Sequence, residues 1–125
     1  MALYVNGNLF IHIYKTGGES VRRAMKCQGA AHEVGHKHST ADDIKDHPLY
    51  EGAYKFVTVR NPYDWLVSLW SFICFGSSII NKPSNHPLNG IAPEDFGEFV
   101  DFWIEHMQPD GKHWHLHQSH FINMI

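Results

Sequence analysis

The stretch FIHIYKTGGESVRRAM, Phe10–Met25, joins a short apolar run to a helix-like segment through two adjacent glycines. The run Leu9–Ile13 predicts a strand, and the segment from Glu19 to about Gln28 carries apolar residues at helical spacing. Such a junction presents unpaired backbone N–H groups at the positive end of a helix dipole, and glycines let the backbone approach a ligand closely. Because Lys15 adds a full positive charge there, the junction predicts an anion site.

The residues around Lys15 supply further groups for an anion. Gly17 and Gly18 allow close approach of the backbone, and the hydroxyls of Thr16 and Ser20 can donate to phosphate oxygens. The pattern differs from a Walker A loop, GxxxxGK[ST], in which the lysine follows the glycines. An ordinary strand-to-helix turn with an exposed lysine is the alternative interpretation.

A second strand–helix junction repeats the pattern. Tyr54–Val59 predicts a strand, and Asn61 and Pro62 suit the N-cap and the first position of a helix. Arg60 stands at the junction, and Ser68 lies on the polar face of the predicted helix, about two turns along it. Arginine can bind a phosphate through two N–H groups, and a serine can add a further contact. Two anion sites on one sheet suggest one ligand with two anionic ends.

The order of elements predicts the fold class. Strands that alternate with helices predict an α/β fold, with a parallel sheet and flanking helices. A short helix is expected between an N-cap at Ser39 or Thr40 and a stop at Pro48, a long loop from 75 to 92, and a further helix opened by Pro93. Apolar residues recur at helical spacing in the last two helices: Trp65, Leu66, Leu69, Trp70 and Ile73, then Phe96, Phe99, Val100, Trp103, Ile104 and Met107.

Length and charge limit the possible functions. The 125 residues suffice for one modest core, which predicts a single domain over residues 1–125. The formal net charge of −3 argues against a nucleic-acid or membrane partner. The N-terminus lacks the features of a signal peptide, and the longest apolar run, 65–80, is interrupted and too short to span a membrane. We therefore expect a soluble cytoplasmic protein, and the sequence leaves its oligomeric state open.

Four segments together resemble the sulfotransferases that use 3′-phosphoadenosine 5′-phosphosulfate (PAPS). IHIYKTGGESVR resembles the family's 5′-phosphosulfate loop, usually PKTGGTS, and FVTVRNPYDWLVSLW resembles its 3′-phosphate segment, RNPxxRxxS. GHKHSTADDIK and HWHLHQSHFI resemble two further segments of the carbohydrate-type branch. Because the four segments follow the family's order between Leu9 and Ile122, the resemblance covers nearly the whole chain.

The resemblance implies a P-loop-like sulfotransferase core and PAPS as co-substrate, with no metal required. It implies that Lys15 contacts the phosphosulfate, and it assigns the two phosphates to the remaining motif residues: Thr16, Gly17, Gly18 and Ser20 for the 5′-phosphate, Arg60 and Ser68 for the 3′-phosphate.

Three residues depart from the family pattern: Tyr14, Glu19 and Trp65. The carboxylate of Glu19 is unfavourable beside a polyanion unless it points away. The family's catalytic domains are also longer, so the chain is expected to lack their C-terminal strand and helix.

Sulfuryl transfer requires positioning, charge stabilisation on the leaving oxygen and a proton acceptor for the hydroxyl. Lys15 suits the second task, and histidine suits the third near neutral pH. His38 is favoured as the base, by resemblance and by its place before a helix cap, with His36 as the alternate; a surface role is the alternative for both. His12 is interpreted as a histidine within the first strand.

No metal site is predicted for the C-terminal tail, which could finish as a strand. Its histidines, His113, His115, His117 and His120, have no carboxylate or thiolate at a recognisable spacing.

The leading interpretation is transfer of a sulfuryl group from PAPS to a hydroxyl acceptor, with a carbohydrate favoured. The low net basicity disfavours a densely sulfated glycan. A module that binds PAPS or its product without transfer is the alternative from another class. A kinase of small substrates is weakened, because the sequence lacks a Walker A loop and a recognisable magnesium-binding aspartate.

Overall fold

The computed structural model describes residues 2–36, 39–76 and 88–106. The chain divides into two compact units, the first with all described residues up to Val59 and the second beginning at Arg60. The first unit contains a sheet and two helices, and the second contains two longer helices. The single domain over residues 1–125 stays a prediction.

The first unit is built on a mixed four-stranded sheet. Its strands are β1 (Ala2–Val5), β2 (Asn8–Phe10), β3 (Ala31–Val34) and β4 (Tyr54–Phe56), in the order β3-β1-β2-β4. Strand β1 is antiparallel to both β2 and β3, whereas β2 and β4 are parallel. The α/β class is therefore confirmed, but the expectation of a parallel sheet is wrong for two of the three described strand pairs.

The antiparallel pairing of β1 with β2 follows from a two-residue turn. Asn6 and Gly7 connect the strands with φ angles of 48° and 82°. Positive φ at both central residues belongs to the type I′ turn, whose twist matches that of a hairpin and which favours Asn-Gly. A connection of two residues can join only antiparallel neighbours, because parallel strands need a long crossover.

The two strands that lead into the candidate junctions are shorter than predicted. Strand β2 ends at Phe10 instead of Ile13, and β4 ends at Phe56 instead of Val59. One further hydrogen bond follows the ladder, in which the Ile11 amide donates to the Phe56 carbonyl at 2.9 Å. Because β2 and β4 are parallel, their carboxyl ends lie at the same edge of the sheet.

Both faces of the central strands are buried. Leu3 and Phe10 are opposite each other in the β1–β2 register and are fully buried. The other face contributes to the core cluster: Ala2, Leu9, Ile11, Val34, Ala41, Ile44 and Ala53. Burial on both faces explains why the sequence at β2 is a nearly continuous apolar run, without the alternation of a half-exposed strand.

The helices of the first unit are α1 (Gly18–Lys26) and α2 (Ala41–Ile44). The predicted N-cap of α2 is confirmed as a capping box. The Thr40 hydroxyl accepts from the Asp43 amide at 3.3 Å, and the Asp43 carboxylate accepts from the Thr40 amide at 2.7 Å. Helix α2 ends before the predicted stop at Pro48.

The second unit contains α3 (Pro62–Phe75) and α4 (Phe96–His106). Trp65, Leu69 and Ile73 of α3 are buried, as its apolar stripe predicts. The rings of Trp65 and Trp103 are 6.3 Å apart in an edge-on contact, which packs α3 against α4.

Two expectations for α4 are corrected. The helix begins at Phe96 instead of Pro93, because an Asp95 carboxylate oxygen accepts from the Glu98 amide at 3.0 Å and caps the first turn. Ile104 was assigned to the apolar stripe but is 67% exposed. Most of the predicted loop 75–92, together with Met107 and the tail, lies outside the described residues. Within the described segments, no helix has the length and apolar character to cross a bilayer.

Candidate functional site

The first junction runs from the end of β2 to the start of α1 and turns through two left-handed residues. Lys15 has a φ of 62° and Gly17 has a φ of 79°. Gly17 is the N-cap of α1, and no side chain of the described residues caps this helix. The Ser20 amide donates to the Gly17 carbonyl at 3.0 Å, while Ser20 itself is exposed. A glycine cap leaves room for an external acceptor at the first-turn N–H groups, which is the arrangement that suits an anion.

Lys15 adopts a conformation that a residue with a side chain rarely takes. A φ of 62° brings its Cβ close to the following carbonyl oxygen, at a cost of roughly 1–2 kcal/mol. The side chain is half-buried. Backbone strain of this kind is found at ligand sites, where the surrounding structure enforces it.

Thr16 fixes the junction through its side chain. Its hydroxyl donates to the Ile13 carbonyl at 2.8 Å and lies 3.2 Å from the Thr58 hydroxyl. Thr58 follows β4, so this contact ties the loop after β2 to the segment after β4. The Thr16 proton is therefore used inside the loop, and its predicted bond to a phosphate would require that proton to change partner.

Glu19, the least favourable residue of the motif, is turned along the helix. Its carboxylate accepts from the Arg22 guanidinium at 3.1 Å, one turn further along α1. Arg22 also donates to Glu33 of β3 at 2.9 Å, and Lys26 approaches the same Glu33 oxygen at 3.3 Å. This ladder of alternating charges draws the Glu19 carboxylate toward the second turn and balances it.

His12 lies in the junction, because β2 ends at Phe10. The prediction that His12 lies within the strand is therefore wrong. Its ring is stacked on Phe10, with centroids 6.0 Å apart. The ring also lies against Gly18, where an added Cβ would overlap its Cδ2 and Nε2 atoms. Sequence reasoning missed this contact; the usable signal was the i,i+2 spacing of Phe10 and His12, which places both on one side of an extended chain.

Tyr14 stands where the family motif usually has proline, and it is half-buried. Burial raises the pKa of its phenol well above the ordinary value. The side chain is therefore neutral at physiological pH and adds no negative charge beside the candidate anion site.

The second junction is stabilised by standard helix caps. The Asn61 side chain accepts from the Tyr63 amide at 3.0 Å, and Pro62 is at the first position of α3. These observations confirm the predicted start of the helix. Arg60 is exposed directly before the cap, and Ser68 is half-buried within α3. Their proposed phosphate contacts stay predictions.

The two candidate bases fall in different places. His36 is exposed and joins a short turn, in which its amide donates to the Ser39 hydroxyl at 2.7 Å and its carbonyl accepts from the Ser39 amide at 3.0 Å. Ser39 is buried, so it anchors the turn. His38 and the tail histidines lie outside the described residues. Within the described segments, no group of three or more His, Cys, Asp or Glu side chains is placed to hold a metal ion.

Comparison with known proteins identifies the family. A model of the sulfotransferase family matches residues 3–124. No curated protein and no solved structure shows a significant match. The family match spans both junctions and nearly the full sequence, which agrees with the resemblance in the motifs. The chain therefore belongs to the sulfotransferase family.

Proposed function

We propose that the chain transfers a sulfuryl group from PAPS to a hydroxyl acceptor, with carbohydrates as the favoured acceptor class. The observation that carries this proposal is the first junction, in which a glycine-capped helix follows a lysine in a left-handed conformation. Membership of the sulfotransferase family supplies the reaction class. The junction supplies a site of the right chemistry for an activated anion.

The donor nucleotide is proposed to bind through both of its anionic ends. The first turn of α1 takes the 5′-phosphosulfate with Lys15 and Ser20, and Arg60 and Ser68 take the 3′-phosphate. The family match over residues 3–124 supports this assignment, because it covers both motifs. Within the first unit, β2 and β4 are parallel neighbours, and the Thr16–Thr58 contact joins the segments that follow them. The same parallel pair, with a helix after each strand, supports a P-loop-like core.

Each proposed residue has one chemical task. PAPS supplies an activated sulfuryl group. Lys15 stabilises the negative charge that develops on the leaving phosphate oxygen as the sulfur–oxygen bridge breaks. His38, or His36, accepts the proton of the attacking hydroxyl. The first-turn N–H groups of α1 hold the 5′-phosphate so that the breaking sulfur–oxygen bond lies in line with the attacking hydroxyl.

Calorimetric titration tests donor binding. We expect 3′-phosphoadenosine 5′-phosphate (PAP), the desulfated product, to bind at least about tenfold more tightly than 5′-AMP, because a charge-assisted contact to the 3′-phosphate is worth roughly 1.5–3 kcal/mol. ATP serves as the control nucleotide for the kinase alternative. Equal affinity for PAP and 5′-AMP, or tighter binding of ATP than of PAP, would contradict the proposal.

Transfer is then tested with labelled PAPS and a panel of carbohydrates and small hydroxyl compounds. We expect His38→Ala to lower turnover by roughly 10²-fold or more with little change in PAPS affinity, as removal of a general base does. His36→Ala is the matched control, and a larger loss in that variant would move the role to His36. Tight PAPS binding without transfer to any acceptor would favour the binding-module alternative.

A further inference from the structure

The contact between His12 and Gly18 joins the segment that follows β2 to the first residue of α1. Gly18 opens α1 and is buried, and its missing Cβ is the space that the His12 ring occupies. The two glycines of the motif therefore have different tasks. At Gly17 a glycine is required because φ is positive, and an added Cβ would have no atom within 4 Å. At Gly18 φ is not positive, and a glycine is required because a Cβ would overlap the His12 ring.

The His12 ring also packs against the sheet. It is stacked on Phe10, which is fully buried. Phe10 in turn contacts the Phe56 ring on the neighbouring strand, with centroids 5.2 Å apart. The position of the ring is therefore set by the packed sheet, and the ring sets how closely the first turn of α1 can approach.

We infer that His12 is a positioning residue for the donor nucleotide. Through Gly18, its ring fixes the first turn of α1 and so the N–H groups that take the 5′-phosphate. The inference rests on the proposed function, since it assigns a task to a residue at the proposed donor site. Binding groups must be held within about 0.5 Å of their productive positions, and a flat ring between a strand and a helix terminus is a means to do so.

The test is a double-mutant cycle read out as affinity for two nucleotides. Gly18→Ala, His12→Ala and the double variant are titrated with PAP and with 5′-AMP, below the melting temperature of every variant. Gly18→Ala drives a Cβ into the ring, so we expect it to weaken both nucleotides by about tenfold or more, through the 5′-phosphate that both contain. His12→Ala weakens both by a common factor of about three- to tenfold. Because the ring is already absent, the double variant matches His12→Ala alone.

Gly17→Ala is the matched control. An alanine there is strained by φ and meets no side chain, so it should cost the same factor in the wild-type and His12→Ala backgrounds. A kinetic readout separates positioning from mere stability: His12→Ala raises KM for PAPS by the factor seen for PAP and leaves KM for the acceptor within about twofold.

The outcomes separate the inference from the function on which it rests. A wild-type chain that binds neither nucleotide overturns the proposed function, and the inference with it. Binding by the wild type with unchanged affinity in His12→Ala overturns the inference alone. The same holds if Gly18→Ala costs an equal factor in both backgrounds. Should Gly18→Ala fail to fold, His12→Ala still decides the question, since it adds no atoms.

Discussion

The two strand–helix junctions differ in the groups that stand at the start of their helices. The first enters its helix through a glycine N-cap and a strained lysine, so it offers backbone N–H groups and one cation. The second enters its helix through Asn61 and Pro62, which satisfy the helix terminus with the chain's own groups. What the second junction offers is a side chain, Arg60, placed directly before the cap. Anion binding by backbone N–H groups would depend on the local conformation of the first junction, whereas binding by Arg60 would depend on the charge of its side chain.

The two junctions also differ in their contribution to stability. The left-handed Lys15 costs roughly 1–2 kcal/mol, whereas an asparagine cap stabilises a helix by about 1 kcal/mol. The first conformation is therefore retained against its own cost, which is expected at a ligand site. The second would form with or without a ligand. Four predictions test how the two junctions differ in binding, catalysis and stability.

The largest effect is expected at Lys15. Lys15→Ala should lower turnover by about 10²–10⁴-fold and weaken PAP binding by only about three- to tenfold, because its charge acts most strongly on the leaving oxygen in the transition state. Steady-state kinetics with labelled PAPS and calorimetry with PAP measure the two effects. Lys45→Ala is the control, since Lys45 is exposed and paired with Asp42 at 2.6 Å. Retained turnover in Lys15→Ala would make Lys15 an ordinary surface lysine.

Arg60→Ala should weaken nucleotide binding by removing a charged side chain, without changing the backbone conformation of the junction. We expect PAP affinity to fall by about tenfold or more, with 5′-AMP affinity unchanged, since only PAP has a 3′-phosphate. Melting-temperature shifts at fixed ligand concentration measure this, because a ligand that binds the native state stabilises it by an amount that grows with the logarithm of its concentration over Kd. Arg23→Ala, at an exposed arginine in the last turn of α1, is the control. An equal loss for both nucleotides would place Arg60 away from the 3′-phosphate.

Local signals in the sequence predicted the helix starts that depend on neighbouring residues. The Thr40–Asp43 box and the Asn61 cap were predictable because capping groups are only two or three residues apart. The antiparallel pairing of β1 with β2 and β3 was not predicted. Asn6-Gly7 is a hairpin signal that could have predicted the β1–β2 pair. Strand β3 could not have been predicted in this way, because it is mostly exposed and polar and lacks the periodicity of a strand.

The candidate site also has parts that the sequence predicts and parts that depend on tertiary packing. The lysine and the glycines of the first junction stand out in the sequence because they place a cation and a flexible backbone at the start of a helix, and because they resemble the family's 5′-phosphosulfate loop. The need for a glycine at Gly18 cannot be read from their spacing, because it arises from the packing of His12 against the helix. Spacing also cannot show that Arg22, the partner of Glu19, is shared with Glu33, because that pair forms only where β3 lies beside the helix.

Replacing Gly17 at the first junction and Asn61 at the second compares the two junctions at an equal loss of stability. Gly17→Ala and Asn61→Ala should each lower the free energy of unfolding by about 1 kcal/mol, the first through strain at a φ of 79° and the second through the lost cap. Their effects on 5′-AMP binding should differ. Gly17→Ala should distort the loop that we propose binds the 5′-phosphate and so weaken binding, whereas Asn61→Ala should leave binding unchanged. Chemical denaturation and calorimetry measure both quantities, and equal losses of affinity would remove the contrast between the junctions.

The smallest effect concerns the charge ladder that turns Glu19 away from the first junction. Although the Arg22 side chain is only 13% exposed, that of Glu19 is 63% exposed, so solvent screens the pair at the carboxylate and its orienting effect is modest. Arg22→Gln releases the Glu19 carboxylate to compete with a nucleotide for the first-turn N–H groups, and PAP affinity should fall by about two- to fivefold. Glu19→Gln alone should change affinity by less than about twofold, yet in the Arg22→Gln background it should restore most of the loss. If Arg22 instead acts directly on the anion, Glu19→Gln will have the same effect in both backgrounds. Raised salt should shrink the loss, because it screens exposed charges.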